Sequence, residues 1–250
     1  MIIEKRMSRL VMLGLLAAAY FLGHVGPVFA YSYGPESEAE WAGWPEFCKV
    51  RYAASGEGQA SQLASKYPPD VIQRLQSTFG ECYTYLHHHC GARLQLQRAK
   101  LATNPGTRNF ALESAVKEDN FALSVCPVDN FFYPEIVTHL GLTFLEAKEL
   151  AKAEQQFDRA ISTHPEYAGA YVAKASLLKK KGSVDAAVAV LVKGSQSTEG
   201  QSAEIENALG LAYFQQKNFE KAREHARKAY SLGYPLPGLR DKLAKAGYPL

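Results

Sequence analysis

The chain is poor in the residues that mark most redox and catalytic centres. Its 250 residues include 4 cysteines, 3 methionines and 2 tryptophans. No C-x-x-C or C-x-x-C-H occurs, so a zinc ribbon, a thioredoxin-like centre and covalent c-type haem attachment all lack their sequence marker. The phosphate-cradling G-x-x-x-x-G-K-[ST] loop, the helical H-E-x-x-H pair and the G-x-S-x-G elbow are absent as well. Gly56-Glu57-Gly58 lacks the strand-then-helix setting of a dinucleotide fingerprint. His139, His164 and His225 have no acid or nucleophile at a telling spacing. The reading is therefore of a protein that is not an enzyme and needs no cofactor.

An excess of one charge is also missing. Setting aside Glu4, Lys5, Arg6 and Arg9 of the first segment, 28 basic and 25 acidic residues become 25 and 24, a balance that gives no reason to expect nucleic acid or anionic lipid as partner. Long apolar runs are scarce too. The one at Leu10 to Leu22 has 13 residues, short of the ~20 that span a bilayer. With its basic start and the Gly26-Pro27 break before Val28-Phe29-Ala30, residues 1–30 have the parts of an export signal cleaved after Ala30; a retained anchor is the alternative. A periplasmic or secreted location follows, where disulfides persist, with no membrane span once the signal is removed.

What is present divides at about residue 134. Residues 31–133 hold all four cysteines and read as a helical module: loops around a short helix at 45–54, a helical stretch at 70–102 that Gly80 could break, another helix at 108–118, and an aromatic-rich connector at 120–134. An even cysteine count in an exported chain implies two disulfides. On one helix Cys82 and Cys90 would lie ~12 Å apart, too far to bond. An antiparallel return of the 108–118 helix favours Cys82 with Cys126 and Cys48 with Cys90 over the crossed alternative.

Beyond residue 134 the chain repeats. Val137, Leu140, Gly141, Phe144, Ala153, Phe157, Ala160 and Pro165 are followed about 34 residues on by Tyr171, Lys174, Ala175, Leu178, Ala187, Leu191, Gly194 and Glu199. Leu209, Gly210, Tyr213, Ala222, Ala226, Ala229 and Pro235 form a third set. A 34-residue period of large, small and aromatic residues marks stacked helical hairpins. The pattern resembles the tetratricopeptide repeat family at 134–167, 168–201 and 203–236, with Val137, Lys174, Glu199, Glu206 and Ala226 departing from the usual residue types. The implied fold is all-α: a superhelix of about three hairpins, a capping helix within 237–250, and the cysteine module in front. His87, Cys90, Gly91 and Leu94, with Ala111, Leu112 and Ala115, suggest a degenerate fourth unit inside that module.

Stacked hairpins rotate slightly from one to the next, so their first helices line a concave face. Offsets 2, 5, 9 and 12 of each first helix should point there. They hold Glu135, Thr138, Leu142 and Leu145 in the first unit, Gly169, Val172, Ser176 and Lys179 in the second, and Glu204, Asn207, Leu211 and Phe214 in the third. Apolar groups near Lys179 and Lys180 suggest an amphipathic partner segment with some acidic character, carried by another protein of the cell envelope. The resemblance also implies positions for gripping a partner's terminal carboxylate. Here they hold Thr138, Leu142, Ala173, Glu204 and Ala208 rather than Lys, Asn and Arg, so that mode is not expected. A second reading, a metal or cofactor handler, would centre on His87-His88-His89-Cys90. Successive helical side chains diverge by about 100°, so only His87 and Cys90 could chelate together. The expectation is no metal there and a disulfide at Cys90. Oligomeric state and partner identity are not legible.

Overall fold

The computed structural model describes residues 34–64 and 66–250. They form thirteen α-helices and no strand. The export signal expected at residues 1–30 lies outside the described residues.

Three short helices come first: α1 (Glu38–Gly43), α2 (Glu46–Ala53) and α3 (Gly56–Ala60). Of these, α2 is the one its leading proline announces. The other two start on serine caps, Ser37 Oγ accepting from the Glu40 N–H at 3.2 Å and Ser55 Oγ from the Gly58 N–H at 3.0 Å. The stretch expected at 70–102 is two helices, α4 (Pro69–Phe79) and α5 (Leu86–Leu101). Gly80, at φ +55°, ends α4, and a single 3₁₀ turn (Gly80–Tyr83) redirects the chain.

Asn104 caps α6 (Pro105–Leu123), its Oδ1 accepting from the backbone of Gly106 at 2.8 Å and Thr107 at 3.1 Å, so this helix extends beyond the expected 108–118 at both ends. Late α5 packs on early α6 through Leu96, Ala99, Ala111 and Leu112, whereas early α5 meets late α6 at His88–Glu118 and His89–Asp119. The two helices are therefore antiparallel. That return brings Cys126 to Cys82, with Cα atoms 4.3 Å apart, and leaves Cys48 for Cys90 at 5.5 Å.

On α5, Cys90 and Leu94 bury in one cluster with Trp44, Cys48 and Ala122 of α6, and His87 is only half-buried. Helix α5 is packed on two sides, and the disulfide holds its Cys90 face against α2.

Three hairpins follow: α7 (Tyr133–Glu146) with α8 (Leu150–Thr163), α9 (Ala168–Lys180) with α10 (Val184–Ser197), and α11 (Ala203–Gln215) with α12 (Phe219–Ser231). The same turn joins each pair. Lys148, Gly182 and Lys217 are left-handed, with φ of 64°, 79° and 61°. The next residue's N–H reaches back to the carbonyl of Phe144, Leu178 or Tyr213 at 2.9, 2.9 and 3.0 Å. These paired features close the free carbonyls of a helix end.

Small residues set the packing inside the hairpins. A Cβ on Gly141 would lie 2.5 Å from the Phe157 ring, and one on Gly194 would lie 2.6 Å from Tyr171. Large residues fill the space between hairpins, including Tyr171, Leu191, Ile205 and Leu209. Helix α13 (Gly238–Lys245) covers the last hairpin with Leu239 and Leu243 against Ala222 and Ala226.

Candidate functional site: the concave face of the hairpin stack

The first helices of the hairpins stand side by side, and α5 joins them. Together they line a cavity of about 590 Å³. Its walls are Arg93, Leu96, Gln97 and Lys100 of α5, Glu135, Thr138 and Leu142 of α7, Gly169, Val172 and Ser176 of α9, and Glu204 of α11; Gly43, Trp44 and Pro45 flank it. Seven positions predicted for the groove, Glu135, Thr138, Leu142, Gly169, Val172, Ser176 and Glu204, thus share one concavity. Lys179, Leu211 and Phe214 line a second hollow of about 550 Å³ at the carboxy-terminal end, with Gln215, Lys217, Phe219 and Lys242.

Two predicted positions are corrected. Leu145 is buried with Ala153, Phe157, Ala173 and Leu177, because the next first helix, α9, covers the end of α7. Asn207 is buried at 7% exposure and lines neither hollow. A helical wheel gives direction on one helix; whether that direction is open depends on the neighbour that lies across it. The wheel also missed Arg93, Gln97 and Lys100 on α5, Lys217 in a turn and Lys242 on the cap, since none of these belongs to the three first helices on which it was drawn.

The cavity's charges balance. Arg93 and Lys100 stand against Glu135 and Glu204. Glu135 accepts hydrogen bonds from Arg93 and from the Tyr167 hydroxyl. Burial opposes its ionisation, but Arg93, His89 and the tyrosine outweigh burial and hold its carboxyl below the usual range.

Beneath it lies a buried hydrogen-bonded group of three side chains. Asp119 accepts from His89 Nδ1 at 2.8 Å on one oxygen and from His139 Nδ1 at 2.6 Å on the other. Burial would raise the Asp119 pKa, yet the two imidazoles bring it below the usual value. Burial lowers the His89 pKa against the pull of Asp119.

Of the His87–Cys90 pair, Cys90 Sγ is bonded to Cys48 and offers no thiolate to a metal. His87 Nδ1 instead lies 3.3 Å from Arg51 Nη2. Residues of metal-ligand type do meet elsewhere: His89, Asp119 and His139 bring one donor atom each within 4.8 Å of one another. Both Nδ1 atoms are engaged by the carboxylate between them, while the buried His89 Nε2 has no hydrogen-bond partner among the described residues.

The third hairpin has its own buried acid. Glu206 stands where the repeat pattern expects bulk and is fully buried. Its carboxylate accepts from Ser195 Oγ at 2.8 Å, His225 Nδ1 at 2.7 Å and Lys228 Nζ at 2.9 Å. Burial would raise its pKa, but these three donors bring it down.

Residues 203–233 match the tetratricopeptide repeat family model. No curated protein matches the chain. Among solved structures, MamA from Desulfovibrio magneticus RS-1 is similar at 21% identity, over 62% of this chain and 82% of that one, with a TM-score of 0.42. The thermophilic TPR protein TTC0263 of Thermus thermophilus is 16% identical over 68% of this chain and 97% of its own, at 0.46. YrrB, described as a TPR protein with an unusual peptide-binding site, is 16% identical over 71% and 89%, at 0.40. Residues 203–233 thus carry a tetratricopeptide repeat, and the two hairpins before it, at 133–163 and 168–197, are closed by the same left-handed turn.

Proposed function

We propose that the protein is an exported, non-catalytic scaffold that holds a segment of another envelope protein along its concave face. The observation that carries this reading is the cavity itself: four helices, α5, α7, α9 and α11, contribute side chains to one open hollow. Helix α5 acts as the first helix of a degenerate fourth unit with α6 as its partner, which extends the face beyond the three hairpins of 134–236. Binding sites are concave, with apolar walls and a few placed polar groups. Leu142 and Val172 beside Ser176 and Gln97 provide that mixture.

Export is supported by the basic, apolar and small-residue segments of residues 1–30 and by two disulfides, which suit an oxidising compartment. No helix among the described residues is long and apolar enough to cross a membrane.

Photocrosslinking in the native cell tests the proposal. A photoreactive residue at Ser176 should trap a specific protein, and Leu142→Glu with Val172→Glu should abolish the adduct while helicity is retained. A control at Lys193, on the second helix of its hairpin, should trap none. Absence of an adduct from Ser176, or one unaffected by the paired glutamates, would remove the concave face from the function.

A further inference from the structure

The two hollows differ in charge. The first is balanced, but the second, at the carboxy-terminal end, has Lys179, Lys217 and Lys242 in its lining and no carboxylate. None of these three lysines makes an ion pair among the described residues, whereas Lys174, Lys181 and Lys228 nearby are paired with Asp158, Glu154 and Glu206. The lysines come from α9, from the α11–α12 turn and from the cap α13. Burial of Lys179 lowers its pKa, with no acid beside it to oppose the effect.

Between the cations lie Leu211, Phe214 and Phe219, all partly exposed. The Phe214 and Phe219 rings meet edge to face at 5.3 Å, and Tyr248 backs Phe219 at 4.8 Å. At about 550 Å³ the hollow falls within the ~300–1,000 Å³ of ligand sites. An apolar floor ringed by unpaired ammonium groups complements one kind of occupant: an apolar side chain flanked by carboxylates, which removes the floor from water while its charges meet the lysines.

We infer that this carboxy-terminal hollow is the anchoring subsite for the partner, and that it takes a segment with an aromatic or large aliphatic residue set between Asp or Glu residues. The inference rests on the concave-face reading and adds to it the chemistry of the partner. Helix α13, whose first task is to cap the stack, supplies one of the recognising cations.

The test is fluorescence anisotropy with the disulfide-intact exported chain and a short labelled peptide carrying phenylalanine and leucine between glutamates. Control peptides replace the glutamates by lysine, or the apolar residues by alanine. The acidic apolar peptide should bind saturably and weaken as salt rises. The control peptides, and the variant Lys179→Glu/Lys217→Glu/Lys242→Glu, should bind at least about tenfold more weakly. Should that triple variant lose its helical circular dichroism, Lys217→Glu/Lys242→Glu, at exposed positions, should still weaken binding several-fold.

Equal binding of the lysine peptide, or undiminished binding by folded charge-reversed protein, would overturn the inference. So would the absence of peptide binding, whether or not the protein sediments with phosphatidylserine vesicles or shifts a DNA duplex. A failed titration beside a positive Ser176 crosslink overturns only this subsite; failure of both overturns the concave-face reading as well.

Discussion

At the scale of single residues, several buried or half-buried ionisable side chains are held in states that acid disturbs. Burial, then the neighbouring His88 and Arg51, lowers the His87 pKa from 6.5 to about 4. The folded chain therefore binds this proton less readily than the unfolded chain. The resulting stability is present above pH 6.5 and is lost as pH falls towards 4. Burial drives His89 in the same direction. Asp119, Glu135 and Glu206, whose partners overcome burial to depress their pKa values, add losses below the ordinary carboxylate range. The urea midpoint should fall between pH 6.5 and 4, and His87→Gln should make that fall shallower; equal slopes in the two proteins would refute the assignment to His87. The individual histidines were legible in sequence, but their pairing was not. Asp119 lies 30 residues from His89 and 20 from His139, and only the antiparallel return of α6 and the approach of α7 bring them together.

At the scale of elements, the turn inside each hairpin demands a left-handed residue, and the chain meets that demand unevenly. Gly182 takes it without steric cost, whereas Lys148 and Lys217 hold their Cβ atoms against the following carbonyl. Lys148→Gly should therefore raise stability by roughly 0.5–1 kcal/mol, less whatever the freer unfolded chain takes back. The measurement is urea denaturation at neutral pH. A clear loss of stability would mean that the Lys148 side chain contributes more than its backbone costs. Hairpin positions were readable because a 34-residue period repeats the same local physics: small residues where helices touch, large ones where hairpins stack. Helices α1 and α3 escaped notice because their caps are single serines in a stretch rich in glycine and proline, where a short helix has no periodicity to show.

At the scale of the whole molecule, each hairpin buries its apolar face against the next, while the amino-terminal helices depend on a covalent tie as well. Cys48–Cys90 fastens α2 to α5, the helix that extends the concave face. Replacing both cysteines by alanine should cost about 2–4 kcal/mol and raise amide exchange in α1 to α3 more than in α9 to α12. Unchanged exchange across α1 to α3 would show that packing alone holds them. The sequence by itself determined that the chain is helical, where its hairpins fall and why they must stack, since periodicity, turn residues and small contact positions act over short distances. Tertiary structure alone decided which predicted groove residues stay open. Leu145 lost its place to α9, and Lys217 and Lys242 gained theirs from a turn and a cap. Exposure and charge balance at a surface are set by what lies across space, and one helix's pattern does not contain its neighbour.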